Sequence, residues 1–339
     1  MNTKRVGQRT VALSHPPSVL SCVAVGGKFE KNGPLGSYFD ATSDDSFFGE
    51  KTWEKAESAM QKQALQRALD KARLKPTDLD YIFAGDLLNQ CIGSSFSLRE
   101  FGIPFYGLYG ACSTMGESLS LAAMMIDGGF ARKCAAMTSS HFCTAERQYR
   151  MPVPYGSQRP PTAQWTATAA GCTLLAAEGD GPCVTHVTCG KIVDLGIKDA
   201  NNMGAAMAPA AYETIRAHFD DLRLTPEDYD LIVTGDLGKL GKEILIGLFD
   251  KDGVRIGGRY DDCGTMIFDL QKQDVHAGGS GCGCSAVVLC GYLLQQMQQK
   301  KIKNLLFCGT GALLSPLTSQ QGESIPGVCH AVSIGTERR

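Results

Sequence analysis

The sequence predicts an α/β protein of two similar halves, in which buried helices lie between two sheets. The first observation is an internal repeat: residues 73–87 recur as residues 223–237, including the closing Gly-Asp-Leu, at a constant offset of 150 positions. The second is that each copy precedes a long, almost uncharged helical segment, at 112–126 and 284–296. Helices without a polar face are buried on all sides. Two such halves predict a layered sandwich of pseudo-symmetric βα units.

The first elements of each half are an amphipathic helix and a short strand. In the first half, apolar residues recur at helical spacing between charged residues, namely Trp53, Ala56, Met60, Ala64, Ala68 and Ala72. Pro76 and Pro226 then mark the connections from helix to strand. The apolar runs at 81–84 and Leu231–Thr234 are typical of buried parallel strands.

A glycine-rich turn, the buried helix and a second apolar strand complete each half. The turns lie at 109–113 and 280–284. Asp86 and Asp236, near the end of the repeated stretch, are predicted to hydrogen-bond the turns after their strands. From the glycine-rich turns onward the offset is 171, so the second half carries 21 additional residues, which we place in the Gly- and Asp-rich span 251–275.

Composition and charge exclude several classes of protein. The chain has 339 residues, a length that suits two packed units, predicted as 1–180 and 181–339. A formal charge of −2 without basic runs argues against nucleic-acid binding, which needs a cationic face. The longest apolar stretch, 285–294, is about half of the ~18–20 residues that a membrane span needs. Residues 1–20 lack the apolar core of a secretory signal, so we expect a cytoplasmic protein.

The 14 cysteines are numerous for a chain of this length. They are spread along apolar runs without a CxxC pair, so most are predicted to be small buried residues in a reducing compartment, and no metal site is predicted. Cys112 is the exception, because the turn at 110–114 delivers it to the start of the buried helix. The helix dipole and free N–H groups there favour the thiolate. By pseudo-symmetry, loop 277–281 brings further N–H groups opposite Cys112, as an oxyanion hole or an anion cradle.

The motifs of the chain resemble those of the thiolase superfamily, which includes the ketoacyl synthases. The motifs are Gly-Pro-Leu-Gly at 33–36, Ala-Gly-Asp-Leu-Leu-Asn at 84–89, Gly-Ala-Cys-Ser-Thr at 110–114, Ile-Asp-Gly-Gly-Phe at 126–130, Thr-Ser-Ser-His at 138–141, Thr-Ala-Glu-Arg-Gln-Tyr-Arg at 144–150, Met-Ala-Pro-Ala-Ala at 207–211, Ala-Gly-Gly-Ser-Gly-Cys at 277–282 and Gly-Thr-Gly-Ala-Leu-Leu-Ser at 309–315. The resemblance implies a five-layer αβαβα sandwich.

Within this superfamily, the chain is similar to a stage V sporulation family of spore-forming bacteria. That similarity implies a protein that binds dipicolinic acid, free or as its calcium complex, and supports its uptake into the developing spore. It also implies association with other stage V membrane proteins at the spore inner membrane, and a homodimer formed through an edge strand of the first-half sheet.

The chain departs from the enzymes of the superfamily at the partners of the cysteine. Those enzymes pair the nucleophile with second-half His/His or His/Asn. One of these histidines follows the strand matching Leu231–Thr234, where this chain has Gly-Asp-Leu-Gly-Lys at 235–239. The loop 277–281, which would hold the other partner, offers glycines and a serine, and His276 before it is interpreted as structural. The departure favours a non-catalytic binding protein. The alternative is an acyltransferase or condensing enzyme with Cys112 as the acyl-carrying nucleophile and His141 or His276 as the base.

Dipicolinate is a flat pyridine with two carboxylates, so its receptor needs fork-shaped donors, backbone N–H groups and an apolar or aromatic wall. In the superfamily, the loop after the strand that follows the cysteine helix borders the active-site mouth. The predicted ligand-binding residues combine this loop with Cys112 and the glycine-rich loop: Cys112, Ser140, His141, Arg147, Tyr149, Arg150, Gly278, Gly279, Ser280 and Gly281. The alternatives left open are a surface ion pair with Glu146 for the arginines and a structural loop histidine for His141.

Overall fold

The computed structural model describes residues 4–149 and 159–337. In the described part of the first half, the strands β1–β9 are Arg5–Val6, Thr10–Ala12, Ser18–Gly26, Ala41–Thr42, Tyr81–Gly85, Phe105–Gly107, Lys133–Ser140, Trp165–Thr166 and Ala169–Ala176. The helices α1–α5 are Lys28–Lys31, Trp53–Ala72, Ile92–Leu98, Thr114–Asp127 and Phe142–Tyr149.

The second half repeats this succession of elements. Its strands β10–β15 are Cys183–Thr188, Leu231–Thr234, Tyr260–Asp262, Gly279–Ser280, Asn304–Ala312 and Gly327–Gly335. Its helices α6–α11 are Met203–Leu222, Gly238–Lys251, Cys263–Met266, Cys282–Val287, Leu294–Gln298 and Pro316–Gln320. A π-helical segment, Val288–Leu293, joins α9 to α10.

The strand order confirms the two pseudo-symmetric halves. The first half has the order β6-β5-β7-β9-β3 and the second the order β12-β11-β14-β15-β10. In each, the three strands at the outer edge run parallel and the remaining pairs are antiparallel. The two sets meet where β3 pairs with β10 at Ser18 and Cys183.

Three apolar clusters establish the five layers. Helix α2 packs its buried face on one side of the first-half sheet, and α6 and α7 cover the corresponding side of the second-half sheet. Helices α4, α9 and α10 share one cluster with the inner faces of both sheets. The nearly uncharged helices therefore form the central layer, as their composition predicts.

The repeated stretches 73–87 and 223–237 begin with the same helix end and the same proline-containing turn. Helix α2 ends at Arg73 and α6 at Arg223, each in the left-handed conformation. The 3₁₀ turns Pro76–Asp78 and Pro226–Asp228 follow, and the aspartate at the end of each turn accepts a hydrogen bond from the backbone that precedes it. Proline fixes the entry into such a turn because its φ is preset.

The structure differs from the sequence prediction at both central helices. The segment predicted as a helix from residue 112 begins as a 3₁₀ turn, Ala111–Ser113, before α4. The other central helix begins at Cys282, earlier than predicted, and contains the π-helical segment. Most of the additional residues of the second half lie around α8, between β12 and α9.

The N-terminal hairpin of the first half lies on the second half. Strand β2 pairs with β1 on one side and with β10 of the second half on the other. The Asp221 carboxylate, near the end of α6, accepts hydrogen bonds from the backbone N–H groups of Gln8, Arg9 and Thr10. None of the helices in the described part of the chain is both long and apolar enough to cross a bilayer.

Candidate functional site

Cys112 lies on the floor of a cleft between the two halves. The 3₁₀ turn that carries it begins with Ala111 in the left-handed region, at a φ of 50°, and the Cys112 side chain is buried. The empty space of the cleft, counted together with the part that is open to solvent, is about 440 Å³. The described residues that line it are Leu87, Ala111, Cys112, Ala145, Glu146, Tyr149, Thr166, Met203, Ser280, Ala312 and Leu314.

The Asp236 carboxyl lies directly behind the cysteine. Its Oδ2 accepts from Ser280 Oγ at 3.0 Å and from Gly281 N at 2.9 Å, and its Oδ1 accepts from Thr310 Oγ1 at 2.9 Å. Ser280 Oγ in turn lies 4.0 Å from Cys112 Sγ. Asp236 therefore ties strand β14 to the glycine-rich loop and places a carboxyl next to the thiol.

Asp236 is the functional candidate that the sequence analysis missed. Its repeat partner Asp86 behaves as predicted, because it accepts from the N–H of Leu88 in the turn after its own strand and from the N–H of Ser94 in the first turn of α3. Asp236 instead accepts from the loop that enters α9. The sequence feature that could have identified Asp236 is its position after the strand Leu231–Thr234, where the enzymes of the superfamily carry a histidine.

The charge state of Cys112 is opposite to the expected thiolate. Burial raises the pKa of the Cys112 thiol well above its usual value, and the nearby Asp236 carboxyl raises this pKa further. The backbone N–H of Gly281 favours the thiolate but is the smaller effect. Burial likewise raises the pKa of Asp236, against four hydrogen-bond donors that lower it, namely the Cys112 thiol, the Gly281 N–H and the hydroxyls of Thr310 and Ser280. Cys112 is therefore a neutral thiol at physiological pH.

The glycine-rich loop does not present the row of exposed N–H groups that we expected. Gly279 and Ser280 form strand β13, which pairs with β8. The N–H of Gly278 donates to Val275 O, and that of Gly281 donates to Asp236. These groups are used inside the protein, so the loop contributes the Ser280 side chain to the cleft rather than an open anion cradle.

Two further predicted residues, Tyr149 and Ser140, lie at different depths. Tyr149, the last residue of α5, lines the cleft, and its hydroxyl is bonded to Leu87 O and to the Tyr109 hydroxyl. Ser140 lies behind the loop, donating to Ala167 O at 2.7 Å and accepting from Gly283 N at 3.1 Å. Ser140 therefore supports the loop, and Tyr149 is available to a ligand.

The structure does not bring His141 and Arg147 into the cleft. His141 accepts from Cys143 N at Nδ1, so its Nε2 donates to Ser46 O, 2.8 Å away. Burial lowers the pKa of His141, which keeps the ring neutral. Arg147 is half-exposed and pairs with Glu54 rather than Glu146, with its guanidinium 5.3 Å above the ring of Trp53. Arg150 lies outside the described residues.

His276, the remaining histidine considered as a base, takes no part in the cleft. His276 Nε2 lies 3.2 Å from Asp274 Oδ1 at the surface, before the buried part of the loop. Within residues 4–149 and 159–337, no three His, Cys, Asp or Glu side chains are grouped to hold a metal ion.

A cysteine at the start of a central helix, in a five-layer sandwich of two matched halves, defines a protein of the thiolase and ketosynthase fold. The structure is similar to 3-oxoacyl-[acyl-carrier-protein] synthase III from Aquifex aeolicus, with a TM-score of 0.57, 14% identity and coverage of 94% of this chain and 99% of the other. It is also similar to human mitochondrial 3-ketoacyl-CoA thiolase, with a TM-score of 0.58, 11% identity and coverage of 96% of this chain and 99% of the other.

The chain belongs to the Stage V sporulation protein AD (SpoVAD) family, whose profile matches residues 7–335. It is 45% identical to Stage V sporulation protein AD of Bacillus subtilis (strain 168) over 97% of each chain.

Proposed function

We propose that the protein binds dipicolinic acid in the Cys112 cleft without catalysing a reaction, and that it supports uptake of this ligand into the developing spore. The observation that carries the non-catalytic part of the proposal is that Asp236 lies beside a buried neutral thiol, at the position where the acyl-transfer enzymes of the superfamily carry a histidine. Membership of the sporulation family supports the biological context.

The apolar walls of the cleft suit the flat ring of an aromatic acid. Apolar side chains form most of its described walls, among them Leu87, Met203 and Leu314. The hydroxyl of Thr166 lies among them and can donate to a carboxylate oxygen, whereas the Ser280 hydroxyl already donates to Asp236 and is left as an acceptor. A pocket of apolar walls with a few placed polar groups is typical of small-molecule sites.

Calorimetric titration with dipicolinate tests the proposal. We expect saturable binding by the unmodified protein and at least tenfold weaker binding by Met203→Trp, because this half-buried residue at the start of α6 lines the cleft. Leu317→Trp is the matched control, since Leu317 is 64% exposed on α11 and outside the cleft lining. No heat at millimolar ligand, or equal loss in the control, contradicts the proposal.

The titration is made with and without Ca²⁺. Glu146 lies on the cleft wall, and a carboxylate attracts a ligand that carries a cation. Tighter binding in the presence of Ca²⁺ assigns the calcium complex as the ligand form, and equal binding assigns free dipicolinate.

The acyltransferase alternative keeps one supporting observation, which is that Cys112 lines an accessible cleft. The histidines considered as its base are engaged elsewhere, His141 with Ser46 and His276 with Asp274. An acetyl adduct on the intact protein after incubation with acetyl-CoA, lost in Cys112→Ser, would favour the enzyme over the binding protein.

We also propose that the protein acts in the cytoplasm as a homodimer that reaches the spore inner membrane through other stage V membrane proteins. Strand β6 supports the dimer, because it is the end strand of its sheet and its three residues are exposed. The large apolar side chains around it are also exposed, namely Ile92, Phe96, Phe105, Tyr106 and Tyr109.

A further inference from the structure

We propose that Asp236 holds Cys112 in the uncharged thiol form and thereby suppresses nucleophilic chemistry in the cleft. The inference rests on the proposed function, since it explains how a cleft with a cysteine on its floor binds a ligand without reacting with it. Asp236 acts on Cys112 rather than on the ligand, because it is not among the residues that line the cleft.

The geometry prevents the carboxyl from turning away from the thiol. Both carboxyl oxygens are fixed, Oδ2 by Ser280 and Gly281 and Oδ1 by Thr310. The Asp236 backbone is fixed as well, since its N–H donates to Thr310 Oγ1 at 3.0 Å and its carbonyl accepts from Gln164. Asp236 is fully buried, so solvent does not screen its interaction with the sulfur.

The hydrogen bonds to Asp236 stabilise a negative charge on its carboxylate rather than on the Cys112 sulfur. An ionised Asp236 is stabilised by Ser280, Gly281, Thr310 and the Cys112 thiol itself, and its charge opposes a second charge on Cys112. A protonated Asp236 leaves the thiol without a base. A histidine here would give the opposite result, because an imidazolium stabilises a neighbouring thiolate. The ionised form of Asp236 therefore favours the thiol, and the protonated form offers no base that could take the proton of Cys112.

The other titratable groups facing Cys112 from the described elements do not reverse this effect. They are the thiols of Cys282 and Cys284 on α9, the phenols of Tyr149 on α5 and Tyr109 before the turn, and the Glu146 carboxyl on the cleft wall. Each is neutral or negative at physiological pH, so Asp236 is the group whose replacement should change the acidity of Cys112 most.

The test is the pH profile of Cys112 alkylation by iodoacetamide, in which the thiolate displaces iodide to form a thioether. Peptide mapping separates Cys112 from the other cysteines. In Asp236→Asn we expect the midpoint of the profile to move to lower pH and the alkylation rate at pH 8 to rise about tenfold, the factor of one pKa unit. Asp86→Asn is the matched control, because Asp86 is the equivalent buried residue of the first half and bonds its own turn.

The shape of the pH profile distinguishes a lowered pKa of Cys112 from a greater accessibility of Cys112 in a loosened loop. Loosening accelerates alkylation by the same factor at every pH, without moving the midpoint, and this outcome overturns the inference. An unmoved profile, or an equal shift in Asp86→Asn, also overturns it. Asp236→Ser, a smaller neutral replacement, is measured in parallel in case the asparagine variant does not fold. The assay contains no dipicolinate, so a failure of ligand binding does not affect its outcome.

Discussion

Gly281 shows how one residue determines the shape of the cleft. Its φ of +97° is a conformation that L side chains rarely adopt. A Cβ there would lie 2.7 Å from Ser140 Oγ, which is itself bonded to Ala167 O. The glycine therefore allows the loop to pass close to the end of β7, and from that position its N–H reaches Asp236.

Replacing Gly281 with alanine should destabilise the protein. We expect Gly281→Ala to lower the free energy of unfolding by about 2 kcal/mol, because the strained backbone and the contact with Ser140 act together. Urea denaturation measures the change. Gly258→Ala is the control, since a Cβ at Gly258 meets nothing within 4 Å, and its effect should stay within about 0.5 kcal/mol. Equal stability of the two variants would show that the loop adapts.

At the scale of elements, the short helix α1 is attached to the sheet by a buried carboxyl. Glu30 Oε1 accepts from Thr168 N at 2.9 Å, and its Oε2 is buried with no hydrogen-bond partner among the described residues. Burial raises the pKa of Glu30 from its ordinary 4.5 to about 7. The folded protein therefore holds this proton at pH values where the unfolded chain has lost it.

The raised pKa predicts a loss of stability with rising pH. The contribution of Glu30 is complete below pH 4.5, the unfolded value, and is lost as the pH rises through about 7. We expect the free energy of unfolding of the unmodified protein to fall between pH 5 and 8 by roughly 3 kcal/mol more than that of Glu30→Gln, since each pKa unit corresponds to about 1.4 kcal/mol.

Urea denaturation across this pH range measures the difference in slope. Glu323→Gln, at an exposed position, is the control and should keep the slope of the unmodified protein. A constant offset between Glu30→Gln and the unmodified protein, with parallel slopes, would contradict the assignment.

The sequence predicts the elements well because their signals are local. The bounds of α2 and β11 follow from hydrophobic spacing and from the prolines beside them, and the structure has them at Trp53–Ala72 and Leu231–Thr234. The site is less predictable because its chemistry depends on distant residues. The pairing of Arg147 with Glu54 and the effect of Asp236 on Cys112 depend on burial and on packing between elements, which no local pattern encodes.

At the scale of the whole molecule, the exposed edge at β6 distinguishes the first half from the second. The ring of Tyr106 is 49% exposed and stacks on Phe83, with ring centroids 5.2 Å apart. An open edge strand with apolar side chains is a template for pairing with another chain. The equivalent strand of the second half, β12, is largely buried, so pairing is expected at β6.

Tyr106→Glu should therefore separate the dimer. Light scattering coupled to size-exclusion chromatography should give twice the chain mass for the unmodified protein and the single chain mass for this variant, because the carboxylates would face each other across the edge. Phe130→Glu is the control, since Phe130 is 72% exposed in the turn after α4 and should leave the dimer intact. A monomeric unmodified protein would contradict the proposal.

The attachment of the N-terminal hairpin to the second half constrains the order in which the chain can fold during synthesis. Strand β2 needs β10 as its partner, and the N–H groups of Gln8, Arg9 and Thr10 need the carboxylate of Asp221. Both lie past the midpoint of the chain. The hairpin therefore reaches its native contacts only after β10 and α6 have been synthesised, and the first half cannot be completed as an independent folding unit.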